Sequence, residues 1–131
     1  VSGEPDFLSV KDVLLLHEEQ LARYGGAAGV RDTGALDSAV AMPQATFDAK
    51  FVHEGLFAMA AAYAFHIAQN QPFVDGNKRT GLAAALVFLD LNGVAIADPE
   101  GKLYSAMIDL AERRLYKDGL AALLGELAAP Q

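Results

Sequence analysis

At 131 residues the chain is long enough to close one hydrophobic core and short for two. A formal charge of −7 argues against a nucleic-acid backbone as the main partner, though not against one local cationic pocket, and the lack of cysteine excludes disulfides and thiolate metal sites. There is no signal peptide, lipidation signal or stretch of about 20 apolar residues, so no membrane partner is expected and a reducing cytoplasm fits.

Apolar residues make up 53% of the chain, with alanine dominant and few β-branched runs, which predicts closely packed helices. Residue 1 is valine rather than methionine, which fits a start within a longer chain or after a removed segment. Residues 1–8 read as an irregular lead-in. Ser9 and Asp12 form a capping pair, and Val10, Val13, Leu14, Leu16 and Leu21 give a helical stripe that Tyr24-Gly25-Gly26 stops. His17, in its middle, reads as a structural or surface histidine. Residues 29–34 form a loop leading to a short helix, Ala35 to Met42, which Pro43 ends. Arg31 and Asp32 either pair within that loop or face a site, and the structural role is favoured.

From Gln44 to Phe51 there is no clear period. Thr46, Phe47, Asp48 and Lys50 lie there in either an ordinary connector or an extended flap. His53 to Asn70 is the most apolar helix, apolar on nearly all faces and therefore central. His66, near its end, reads as a core or helix-end residue. A second long helix, Lys78 to Leu91, closes at Asn92-Gly93. Val94 to Ile96 is a short extended piece. Asp98 as cap and Pro99 as first residue start a helix running to about Leu115, and an amphipathic helix from Lys117 to Ala128 ends the chain. With no repeat or linker, the prediction is one compact all-α domain, 1–131. Its centre is a helix–loop–helix unit, and the flap is its one candidate β element.

The loop of that unit, Gln71 to Thr80, concentrates the chemistry. Pro72 and Gly76 break the helix, and Asn77 is read as the N-cap of the next one. Unpaired N–H groups and the positive dipole end suit a phosphate, Lys78 and Arg79 add charge there, and Asp75 is placed to hold a divalent cation bridging phosphate oxygens. Phe73 is the apolar plug fixing the loop. The plain alternative is a capped helix with solvated cations, but two cations at the wrong end of a dipole need a reason.

Phe73-x-Asp75-Gly76-Asn77-Lys78-Arg79 resembles the active-site motif of the Fic/Doc family, His-x-Phe-x-(Asp/Glu/Asn)-(Gly/Ala)-Asn-(Gly/Lys)-Arg, and most closely its Doc branch. Leu14-Leu-Leu-His-Glu, Tyr24-Gly-Gly, Arg31-Asp-x-Gly-x-Leu-x-Ser-Ala39 and Phe88-Leu-x-x-Asn-Gly93 extend the likeness over nearly the whole chain. The resemblance implies a compact helical fold that acts on protein hydroxyl groups with ATP and Mg²⁺. Asp75 would hold Mg²⁺, Gly76, Asn77, Lys78, Arg79 and Thr80 would bind phosphates, and Phe73 would anchor the loop. Gln71, Asp75, Lys78 and Arg79 form the implied catalytic set, and a flap formed by Thr46, Phe47, Asp48 and Lys50 would position the target.

Most Fic proteins transfer an adenylyl group, whereas the Doc branch transfers the γ-phosphoryl group to elongation factor Tu and arrests translation. Lys78 stands where adenylylating members have glycine, and Leu82 stands where they have a second arginine, so the Doc branch fits better. The family's general base is a histidine at the position of Gln71. Glutamine can hydrogen-bond a hydroxyl but cannot take its proton, so weak or absent transfer is expected. Either the chain is a variant silenced so that a toxic protein could be produced, or it is a natural member repurposed for binding. The intact remainder of the motif favours the first. No inhibitory helix motif Ser/Thr-x-x-x-Glu-Gly/Asn is found, so a separate Phd-like antitoxin, with a tail that folds in a groove, is the implied restraint. The alternatives are a Fic-type adenylyltransferase and a catalytically dead module that binds an antitoxin or translation factor. A metal hydrolase is remote, because His53, His66 and Asp75 have no recognised ligand spacing.

Overall fold

The computed structural model describes residues 3–129. The lead-in expected over 1–8 is described from Gly3 onward, and residues 1, 2, 130 and 131 of the predicted domain lie outside the described residues. The fold is all-α, with helices α1 (Val10–Tyr24), α2 (Thr33–Ala41), α3 (Leu56–Asn70), α4 (Asn77–Leu91), α5 (Lys102–Ala111) and α6 (Lys117–Leu127). A single 3₁₀ turn, Met42–Gln44, and a minimal hairpin of β1 (Thr46–Phe47) and β2 (Lys50–Phe51) join α2 to α3.

As the apolar pattern requires, α3 is the hub. Every residue from Met59 to Ala64 is buried, and α2, α4, α5 and α6 all pack against it. Small side chains permit a close approach of α3 and α4. A methyl group added at Gly81 of α4 would lie 2.9 Å from the Ala64 carbonyl oxygen, so the two helices meet there backbone to backbone. Val13 of α1, Leu36 and Val40 of α2, Phe88 and Leu89 of α4, Leu103, Met107 and Leu110 of α5 and Leu120 and Leu124 of α6 are buried around this hub.

The lead-in is irregular but tied down. Leu8 N–H donates to the buried Tyr63 hydroxyl at 2.8 Å, and burial raises the Tyr63 pKa to about 12. Asn92 clasps Asp6 through both its N–H and its C=O. Phe7 stacks on Phe88 and tilts against Phe51, seating the hairpin on the core. The extended alternative is therefore the observed one over Thr46 to Phe51, while Gln44 belongs to the 3₁₀ turn. Thr46 pairs with Phe51 and Phe47 with Lys50 around a turn in which Asp48 and Ala49 both have positive φ, as two-residue hairpins demand.

Helix boundaries depart from expectation where a tertiary or left-handed residue intervenes. The Ser9–Asp12 capping box and the Gly25 stop of α1 are present. α2 begins two residues before the predicted Ala35, because Asp32 caps it through a bond from Ala35 N–H. α3 begins at Leu56 rather than His53, since Gly55 has φ +91 and ends the preceding bend. α5 begins at Lys102, not at Pro99. Asp98 still caps it, accepting from the N–H groups of Lys102 and Leu103 across a turn closed by Gly101. It ends at Ala111, short of the expected Leu115, where Arg113 turns left-handed. The extended piece near Ile96 bridges Ala128 and pins the end of α6.

Candidate active site

The loop between α3 and α4 is fixed by contacts from three other parts of the chain. Gln71 ends α3 in a left-handed conformation, with φ +47 and ψ +57. Its carbonyl accepts from Arg31 Nε at 2.7 Å, and the Asn70 carbonyl accepts from Arg31 Nη2 at 2.8 Å. Arg31 thus neutralises the open carbonyls of a helix C-terminus, a favourable place for a cation. The pairing of Arg31 with Asp32 expected within their loop is not formed: each serves a different helix end, and the Arg31 guanidinium instead braces the loop that follows α3. The Pro72 carbonyl accepts from the N–H groups of Arg31 and Asp32, and Val74 N–H donates to the Gly29 carbonyl. Residues 29–32 therefore brace residues 72–74 in a short antiparallel contact.

Phe73 is 1% exposed, and its ring stacks face to face on His17 at 3.8 Å, so it is the buried plug that the sequence suggested. His17 itself is buried, and its Nε2–H donates to the Asp75 carbonyl at 2.8 Å. It is a structural histidine, but one directed at the site, a role not read from sequence. The available signal was its place on the apolar stripe of α1, four residues after the buried Val13.

Asn77 corrects another expectation. It is the first helical residue, not the cap. The preceding residue is Gly76 in the left-handed region, and no side chain caps the helix. Instead the Asn77 amide clasps Phe73, accepting from its N–H and donating to its C=O, each at 3.0 Å. A cap would have consumed one N–H of α4. The clasp leaves the helix entrance open to an anion.

Around this loop lie two recesses that share Asp75, Gly76, Asn77 and Lys78. One, of about 270 Å³, is walled by Tyr24, Gly25, Gly26, Arg79 and Tyr104. The other, of about 220 Å³, is walled by Ala68, Gln71, Val74 and Ala111. Asp75 accepts from Gly76 N–H through Oδ1 and from Ala27 N–H through Oδ2, which fixes the carboxylate at the rim. Gly26 must lack a side chain here: with φ +118, a methyl group would come within 3.1 Å of Asp75 Oδ2. Among the described residues, Lys78 and the Gln71 side chain have no hydrogen-bond or ion-pair partner. The loop thus unites Gln71, Asp75, Gly76, Asn77, Lys78 and Arg79. Thr80 is set apart: it is fully buried in α4, its hydroxyl is unpartnered, and it lines neither recess. The hairpin residues Thr46, Phe47, Asp48 and Lys50 are exposed, with Phe47 81% so, but none bonds the loop or lines its recesses.

His53 and His66, weighed as metal ligands, do meet, but on a lysine. Lys117 Nζ lies 3.1 Å from Nε2 of each and donates to both neutral rings. Burial first and the Lys117 charge second lower the His53 pKa, and the same causes, with His53 added, lower that of His66 to about 4. Burial lowers Lys117 as well. Asp75 is elsewhere, and the described residues hold no cluster of three or more His, Asp or Glu side chains suited to a metal.

A model of the Fic/DOC family matches residues 7–89, from the lead-in to the end of the α4 core. The chain belongs to the Fic/Doc family. It is similar along almost its whole length to "Toxin Doc" of Mycolicibacterium smegmatis, with 40% identity over 126 residues, 95% of each chain. It is also similar to "Protein kinase doc" of Escherichia phage P1, with 35% identity over 91 residues, covering 70% of this chain and 71% of the phage protein. No helix of this family member, among the described residues, is long and apolar enough to cross a membrane.

Proposed function

We propose that this chain is a Doc-like toxin whose loop 71–79 binds the triphosphate of ATP and directs its γ-phosphoryl group to a hydroxyl of a protein target. By family likeness the target is elongation factor Tu and the outcome is arrested translation in the cytoplasm. The observation that carries this reading is the uncapped entrance of α4. Gly76 and Asn77 leave its N–H groups open, and Lys78 and Arg79 stand beside it without a carboxylate partner. Phosphoryl transfer asks a protein mainly for positioning and charge stabilisation, and both are features of such a loop.

A single well-held carboxylate also fits Mg²⁺, which commonly takes one or two carboxylates and completes its shell with phosphate and water. Asp75 would hold the ion, its oxygens oriented by Gly76 and Ala27 N–H groups with lone pairs to spare. When bound, Mg²⁺ supplies charge neutralisation on the phosphates. Leu82 favours phosphoryl over adenylyl transfer: it packs against the core where adenylylating members carry an arginine, so one phosphate contact is missing. The exposed Phe47 and the open edges of its hairpin suit a flap that adds main-chain bonds to a target segment.

Gln71 sits on the far side of the loop from Arg79, in the recess where an acceptor hydroxyl would lie. Its amide can orient that hydroxyl but cannot remove the proton, so transfer is impaired while nucleotide binding persists. That residue also favours the second reading, a catalytically silent module engaging an antitoxin or translation factor. A Phd-like antitoxin is the partner implied for either.

The test is transfer from ATP labelled separately at the α- and γ-phosphates to elongation factor Tu, with this chain beside Gln71→His. Label from the γ-position, rising by about 10²–10⁴-fold in the histidine form, is expected. Label from the α-position would replace the kinase reading with adenylylation. Silence from both, with ATP bound, would leave the binding module.

A further inference from the structure

Arg79 is the third residue of α4, where the helix dipole is positive and a cation is disfavoured. Among the described residues it has neither a hydrogen bond nor a carboxylate partner. Its contacts are aromatic. The guanidinium carbon lies 3.8 Å from the centre of the Tyr24 ring and 4.4 Å from that of Tyr104. Both distances are well within cation–π range, and the rings contact the guanidinium without occupying its N–H donors. The three residues come from three elements, the last residue of α1 and the first turns of α4 and α5. All three line the same recess as Gly26 and Asp75 to Lys78.

We infer that Tyr24 and Tyr104 are positioning residues, an aromatic clamp that holds the Arg79 guanidinium ready to meet a nucleotide phosphate with its N–H edge. The inference rests on the phosphate-site reading above and adds to it the device that sets the arginine's geometry. Arginine is a long side chain with many rotamers, and bidentate phosphate binding requires its planar fork in one orientation. Elsewhere an ion pair would supply that restraint, but a carboxylate would also compete with the phosphate. Aromatic rings restrain the guanidinium while leaving its donors free. Lysine at this position would lose both the fork and the stacking.

The experiment is a titration of MgATP into the unaltered chain, Tyr24→Ala, Tyr24→Phe, Tyr104→Ala, Tyr104→Phe and Arg79→Ala. Each Tyr→Ala change is also made in the Arg79→Ala background, and folding is checked by circular dichroism. Each alanine variant is expected to weaken binding by about 3- to 10-fold, while phenylalanine, which keeps the ring, stays within about 2-fold. With Arg79 already removed, loss of a ring should cost nothing further. In parallel, NMR of the Arg79 Nε–H should give a ring-shifted signal in the unaltered chain that moves toward the free-arginine position in each Tyr→Ala variant.

An undiminished loss in the Arg79→Ala background would mean that the rings touch the nucleotide directly, and would overturn the clamp. So would unchanged affinity in the Tyr→Ala variants, or an Arg79 signal like that of free arginine whether or not nucleotide binds. An unaltered chain that binds no MgATP sinks the phosphate reading itself and the clamp's purpose with it. Binding that depends on Arg79 but not on the rings sinks the clamp alone.

Discussion

The contact between α3 and α4 predicts that one substitution, glycine to alanine, has opposite signs at two helical sites. In an exposed helix interior the change stabilises by about 1 kcal/mol, since alanine has less backbone freedom to lose. Gly125 of α6 is such a site, exposed and with the nearest atoms to a new methyl the Phe57 ring carbons at 3.9 and 4.0 Å, an ordinary contact. It lies in the last turn of α6, so a gain of about 0.5 kcal/mol is expected there. At Gly81 the same methyl would stand 2.9 Å from the Ala64 carbonyl oxygen and 3.4 Å from its Cα. Those atoms are backbone in the centre of a helix and cannot rotate away, so α3 and α4 must separate by several tenths of an ångström. Overpacking of this kind costs about 1–3 kcal/mol, which outweighs the propensity gain and leaves a net loss of about 1 kcal/mol.

Urea unfolding measures both. The chain has no tryptophan, so the helical circular dichroism signal is the probe. The expected result is a lower midpoint for Gly81→Ala and a slightly higher one for Gly125→Ala, with slopes unchanged. If Gly81→Ala is as stabilising as Gly125→Ala, the backbone-to-backbone contact is wrong. Because α3 and α4 hold the two ends of the loop, Gly81→Ala should also weaken MgATP binding, whereas Gly125→Ala should not.

Thr80→Val replaces a buried, unpartnered hydroxyl with a methyl of similar shape, and should leave stability unchanged or raise it by about 1 kcal/mol in the same assay, with MgATP affinity unaltered. A large fall in affinity would return Thr80 to the phosphate site. Asn77→Ala removes both bonds of the clasp on Phe73 and should cost about 1–3 kcal/mol in unfolding free energy, together with nucleotide binding. The His66 pKa of about 4 lies below the ordinary 6.5, so the stability it contributes is complete above pH 6.5 and is lost as pH falls through 4. Allowing for the ring's partial exposure, that loss is about 1–2 kcal/mol, and His66→Gln should flatten the pH dependence of thermal unfolding in this window. An unchanged pH profile in the variant would move the titration to other groups.

Local codes were the legible part of this chain. The Ser9–Asp12 box, the Gly25 stop, the Asp98 cap and the apolar α3 hub all follow from residues a few positions apart. The motif loop was legible too, because its glycine, amide and cations are contiguous. Its support was not. His17 reaches Asp75 across 58 positions, and Arg31 reaches Gln71 across 40, distances at which a single sequence carries no pairing signal. Tyr24 and Tyr104 converge on Arg79 for the same reason. At Asn77 two bonding patterns compete: an amide at a helix entrance can cap the helix or clasp a neighbour, and only the fold of Phe73 beneath it decides between them.

The way residue 71 is held has a consequence for what other molecules can sense. Its carbonyl accepts from Arg31 Nε and its N–H closes α3, so the bonds that fix it use main-chain atoms that glutamine and histidine supply alike. Shape and chemistry are thereby uncoupled at this position. A partner that reads the main-chain path of the loop meets the same course whether glutamine or histidine is present. If Gln71 silences transfer as proposed, a copy carrying it in a mixed population would still occupy an antitoxin and leave competent copies at large.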